Sequence, residues 1–208
     1  MVDTTVIIKT IGRPSLKAAI RSAKREKLKT IVISDGVKVS AQGASRVVCL
    51  GRKWGYYGGM AANVGAALAE TEFITFLDDD DEFAVGAGDI IRNKLNEKPE
   101  VDIWIGGVRF SQEVMVYNTE TNEPLKTSRD LATNPDLGVV PGNACMPTYR
   151  ANIFSTLPFL DNIPEEQSNL TDFYHINACK LSGHNVDWFG DVIYLVRPDS
   201  SGENGEGR

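Results

Sequence analysis

Apolar and polar positions follow two rhythms along this chain, and the first half switches repeatedly between them. Val6, Ile7 and Ile8 form a short continuous apolar run, the pattern of a strand buried on both faces of a parallel sheet. Gly12 and Pro14 break that run, and proline suits the first turn of a following helix. Leu16, Ala19, Ile20 and Ala23 then recur at helical spacing with Lys17, Arg21, Lys24 and Arg25 between them, which predicts an amphipathic helix with a solvated basic face. Residues 30–34 predict a second strand stopped by Asp35 and Gly36, and residues 46–50 a third. Residues 60–68 are rich in small side chains and predict a helix. Residues 72–77 carry the strongest strand signal in the chain and run directly into Asp78, Asp79, Asp80 and Asp81. A helix is predicted over 87–96 with Ile90, Ile91 and Leu95 inward, followed by extended segments at 101–110 and 113–117. Residues 119–141 lack periodicity and predict a long surface loop. Leu170, Phe173, Tyr174, Ala178 and Leu181 mark a last amphipathic helix ended by Ser182 and Gly183. Residues 192–196 predict a final strand, and 200–208 a disordered tail.

Alternating strands and helices with short links imply an α/β fold: a Rossmann-like α/β/α sandwich around a mostly parallel central sheet. The length, 208 residues, suits one domain over 1–199. The apolar fraction of 42% and charged fraction of 24% place the chain among soluble globular proteins. Its net charge of −6 argues against a nucleic-acid or anionic-membrane surface. Cys49, Cys145 and Cys179 are odd in number and far apart, the pattern of reduced, mostly buried thiols in a cytoplasmic protein. With only His175 and His184, a two-histidine metalloprotease helix is excluded. The N-terminus shows no basic segment leading into an apolar one, so no signal peptide is expected. No apolar run approaches the ~18 residues that a membrane span requires.

Four successive aspartates raise one another's pKa unless they are solvated or neutralised. At the carboxyl end of a buried strand they stand where open α/β sheets bind ligands. A hard divalent cation, Mn²⁺ or Mg²⁺, takes oxygen ligands and joins one or two carboxylates to substrate phosphates. Strand alternation sends Asp78 and Asp80 the same way and Asp79 elsewhere. A calcium-binding helix–loop–helix is excluded, because the positions that need Gly and Glu hold Phe83 and Asp89. Asp35 closes the second strand at the same sheet edge, where a carboxylate can accept a pyrimidine N–H or a ribose hydroxyl, or simply shape an Asp-Gly turn.

The order of 6–14 (VIIKTIGRP), 31–36 (IVISDG), 63–65 (NVG) and 73–81 (FITFLDDDD) resembles glycosyltransferase family 2 with the GT-A fold. The resemblance implies that Thr10 and Asp35 contact the nucleotide base and that Asp78, Asp79 and Asp80 bind ribose and metal, with Asp80 the principal metal ligand and Asp78 beside it. Arg13 and Asn63 fall in the donor-binding region on the same resemblance. Residues 1–100 become the nucleotide-sugar-binding half and 101–199 the acceptor side. Ile11 stands where the family carries a base-packing Tyr, Gly12 replaces Asn, Lys9 replaces Pro and Ala62 replaces Arg. The family's catalytic base opens a late helix, and Asp172 matches it, with Glu165 and Glu166 in reserve. Asp172 also reads as a first-turn acid favoured by the helix dipole after Asn169. The implied reaction is metal-dependent, inverting transfer from a nucleotide sugar, UDP-linked, to a hydroxyl on a glycan, lipid-linked or other acceptor. A sugar-1-phosphate nucleotidyltransferase and a non-catalytic nucleotide-sugar binder are the alternatives.

Overall fold

The computed structural model describes residues 2–55, 58–110, 116–117, 124–125, 147–160 and 171–196. The elements run β1 (Thr4–Thr10), α1 (Leu16–Arg25), β2 (Lys29–Ser34), β3 (Arg46–Cys49), α2 (Gly59–Leu68), β4 (Phe73–Asp78), β5 (Asp81–Phe83) and α3 (Ala87–Glu97). They continue with β6 (Ile103–Phe110), β7 (Val116–Tyr117), β8 (Pro124–Leu125), β9 (Thr148–Arg150), a 3-10 turn at Ala151–Ser155, α4 (Thr171–Leu181) and β10 (Val186–Val196). Eight strands form one sheet in the order β3-β2-β1-β4-β9-β6-β10-β5, and β7 pairs with β8 in a separate ribbon. Strands β3, β2, β1 and β4 are mutually parallel. Strand β9 runs antiparallel to both of its neighbours, β4 and β6, and β5 antiparallel to β10.

The alternation of side chains along each strand divides the core between the two faces of the sheet. Val6, Ile8, Phe73 and Leu77 pack with Leu16, Ala19 and Ile20 of α1 and with Ile91 and Leu95 of α3. Ile7, Ile74 and Phe76 pack with Ala61, Ala62 and Ala66 of α2 and with Ile176 and Cys179 of α4. The layers are therefore α1/α3, sheet, α2/α4. The small residues of α2 allow close approach: a Cβ on Gly65 would lie 2.3 Å from Cγ2 of Ile7. Glycine at that position sets how near α2 comes to the central strand.

Several predicted elements recur within a residue or two, the last strand starts at Val186 rather than at 192, and three short strands, β5, β8 and β9, have no predicted counterpart. Strand β5 forms inside the stretch read only as an acidic cluster, because the chain turns at residues 79–80 and resumes as an edge strand. Strand β9 is too short for its period to show in the sequence. Its burial comes from Thr148 and Tyr149, both 0% exposed between β4 and β6. The ribbon strand β8 lies within the predicted 119–141 loop, whose other residues, like Cys145 and 200–208, lie outside the described residues. Cys179 is buried, and that burial pushes its thiol up to about 11, whereas Cys49 on the edge strand β3 is exposed. Among the described residues no helix is long and apolar enough to cross a membrane.

Candidate active site

Strands β1, β2 and β4 end together, and alternation distributes their last side chains over the two faces. Lys9 has the parity of Ile7 and points to the α2/α4 side, paired in register with Asp78. Thr10 has the parity of Val6 and Ile8 and points to the α1 side, as does Asp79.

On the α1 side Asp79 is 1% exposed and ringed by donors. One carboxylate oxygen, Oδ2, accepts the Thr10 hydroxyl at 2.6 Å and the main-chain N–H groups of Ile11 and Arg13 at 3.1 and 3.3 Å. The other, Oδ1, accepts Nη1 of Arg13 at 2.6 Å. Thr10 Oγ1 in turn accepts the N–H of Gly12 at 2.9 Å. Charge-assisted bonds to a buried carboxylate are strong, so Asp79 fixes the turn between β1 and α1. Arg13 also reaches Asp80 at 3.8 Å.

The carboxylates of Asp78, Asp80 and Asp81 each bring an oxygen within 4.8 Å of the others. Asp78 closes β4, whereas Asp80 lies in the turn that follows, so its place in the cluster comes from the turn and not from strand alternation. Asp81 opens β5 directly after the turn at 79–80, which brings it back beside the other two, a signal the sequence pattern could not carry. Three hard oxygen donors in that space fit Mn²⁺ or Mg²⁺ by charge and ligand type.

Lys9 adds a cation beside the cluster: its Nζ lies 2.9 Å from Asp78 Oδ1. Burial pulls the ammonium pKa down, and the carboxylates of Asp78 and Asp172 outweigh it, so the group is held above its ordinary value. Asp172, half-buried in the first turn of α4, has its carboxyl pushed up to about 7. Burial raises it most, Lys9 opposes that, and Asp78 adds to the rise. The sequence registered Lys9 only as a departure from a motif; its pairing with Asp78 needed the strand register.

The remaining candidates hold loops. Asp35, 4% exposed, accepts the main-chain N–H groups of Trp54 at 2.7 Å and Gly55 at 2.9 Å. Asn63 on α2 accepts the N–H of Phe159 at 2.8 Å and donates to its carbonyl at 3.0 Å. His175 is buried; its ring nitrogens meet the Leu157 carbonyl at 2.7 Å and the Tyr149 hydroxyl at 3.2 Å, and burial lowers its pKa, which favours a neutral imidazole. Trp104 is buried and stacked on Phe189. Glu165 and Glu166 lie outside the described residues.

A three-layer sheet with acidic side chains gathered at the carboxyl end of β4 is the GT-A architecture, and residues 5–156 match the family model described as "Glycosyl transferase family 2". The chain belongs to that family. Among solved structures, S. aureus TarS (residues 1–349) aligns with a TM-score of 0.66 and 15% identity over 96% of this chain and 62% of that one. A structure of the same fragment in complex with UDP-GlcNAc aligns with a TM-score of 0.67 and 16% identity over 99% of this chain and 60% of that one. The chain thus spans less than two thirds of those relatives. No curated protein matches it in sequence.

Proposed function

We propose that the chain is the catalytic unit of an inverting glycosyltransferase that takes a sugar from a UDP-linked donor to an acceptor hydroxyl. The observation that supports this most is the meeting of the Asp78–Asp80–Asp81 cluster with Lys9 and Asp172 at one sheet edge. Family membership and the likeness in fold to TarS, which has been crystallised with UDP and with UDP-GlcNAc, favour that donor class. Asp80 and Asp78, with Asp81 alongside, would hold Mn²⁺ or Mg²⁺. Such an ion, when bound, neutralises charge on a departing diphosphate. Asp79, Thr10 and Arg13 shape the β1–α1 turn against which the donor lies, and Asp35 and Asn63 hold the loops around it. Asp172 takes the proton of the attacking acceptor hydroxyl. One displacement assisted by one base inverts the anomeric centre. The acceptor is bound by the half of the chain from residue 101 onward.

Calorimetry against a panel of nucleotide sugars, with and without Mn²⁺, tests the donor reading. UDP-sugars should bind with Mn²⁺ present, and Asp80→Ala should lower that affinity at least about tenfold and abolish its dependence on the ion. Absence of binding by every nucleotide sugar would defeat the proposal.

The titration of Asp172 gives a second expectation. A base must be ionised to act, and Asp172 is protonated below about 7. Acceptor-dependent kcat/KM should therefore fall about tenfold per pH unit below that value and level off above it. Lys9 opposes the rise in the Asp172 pKa, so Lys9→Met should move this limb to higher pH. A limb that stayed in place would show that the two groups do not interact.

A further inference from the structure

Residues 51–55 leave β3 and fold back over the carboxyl end of β2. The N–H of Leu50 donates to the Ser34 carbonyl at 2.8 Å, and the N–H groups of Trp54 and Gly55 then donate one bond to each oxygen of Asp35. Gly36 completes the grip. It adopts φ 78°, and a Cβ there would stand 2.4 Å from the nitrogen of Lys53 and 2.6 Å from the carbonyl carbon of Arg52. A buried carboxylate and a side-chain-free contact are thus committed to fixing the backbone of this segment. Its side chains contribute little to the core: Arg52, Lys53 and Trp54 are all exposed.

Trp54, 36% exposed, is the one exposed aromatic among the described side chains. The guanidinium of Arg52 lies 3.9 Å above its ring. A flat ring backed by a cation, on a rigid backbone at the carboxyl edge of a parallel sheet, suits a ligand that combines a flat ring with anionic charge.

We infer that Trp54, stacked with Arg52 and pinned through Asp35, is the surface on which the nucleobase of the donor lies. Asp35 acts on the base through the loop it holds. The inference rests on the donor-binding reading above and adds to it the residue that receives the base.

The test is titration of the chain with UDP in the presence of Mn²⁺, followed by calorimetry and by tryptophan emission. Wild-type emission should be quenched by UDP. Trp54→Ala should weaken UDP at least about tenfold, since base stacking on an aromatic is sensitive to its removal. Trp54→Phe keeps a ring and should bind within about threefold of wild type while losing most of the quench. An unchanged melting temperature in both variants would show that the exposed ring is no part of the fold's support. If UDP binds wild type and Trp54→Ala equally, or the quench survives in Trp54→Phe, the base lies elsewhere and the donor reading stands. If wild type binds no nucleoside diphosphate, the donor reading itself falls and takes this assignment with it.

Discussion

Asp172→Asn should lower acceptor-dependent release of UDP by about 100- to 10,000-fold, the usual contribution of a positioned general base. The amide keeps the shape of the carboxyl group and cannot take the proton. Asp172 stands at the start of α4, half-buried and within electrostatic reach of Lys9 and Asp78. The donor is gripped mainly by other groups, so UDP affinity should change by less than about threefold. Rates and affinities measured on one preparation separate the two effects. A variant that still transferred at near the wild-type rate would remove Asp172 from the chemistry and turn attention to residues 165 and 166.

Asp79→Asn should produce the largest loss of stability of any single change at the site. The carboxylate is 1% exposed and accepts four hydrogen bonds, one of them from the guanidinium of Arg13. An amide cannot accept all four, and its N–H₂ opposes donors with a donor. Removing one partner of a buried ion pair costs about 3–5 kcal/mol, and here the loss falls mainly on the Thr10 hydroxyl and the main-chain N–H groups of Ile11 and Arg13, since the Arg13 guanidinium keeps Asp80 at 3.8 Å. For a chain of this length that corresponds to a fall in melting temperature of roughly 6–20 °C. Arg13→Met should lose less, since Asp79 would keep the Thr10 hydroxyl and two main-chain donors. Thermal unfolding of the two variants side by side checks the order. If Asp79→Asn melted with wild type, the ring of donors around Asp79 would be ornamental.

Much of this architecture was legible beforehand, and the reason is burial. Strands β1, β2 and β4 lie inside a sheet covered on both faces, so their sequences are short, mostly apolar runs. Helix α1 covers one face and shows the matching stripe. The acidic cluster was visible because four charges end such a run. What stayed hidden depended on contacts between distant residues. Strand β9 has three residues and no readable period. Asp81 joins the cluster only because of a turn, and Lys9 meets Asp78 only through the register of two strands. For Asp35 the sequence offered a ligand for a base or a turn residue; its bonds to the main chain of Trp54 and Gly55 needed the fold to be seen.

Strand β9 also ties the timing of assembly to chain order. It contributes residues 148–150 to the gap between β4 and β6, with Thr148 opposite Thr75 and Arg150 opposite Phe73. A ribosome releases β1, β2, β3 and β4 long before that piece. Until it emerges, the apolar flank of β4 is a bare edge, ready to accept a foreign strand. The segment that carries the aspartates is therefore exposed to mispairing during synthesis until a late, three-residue strand seals it.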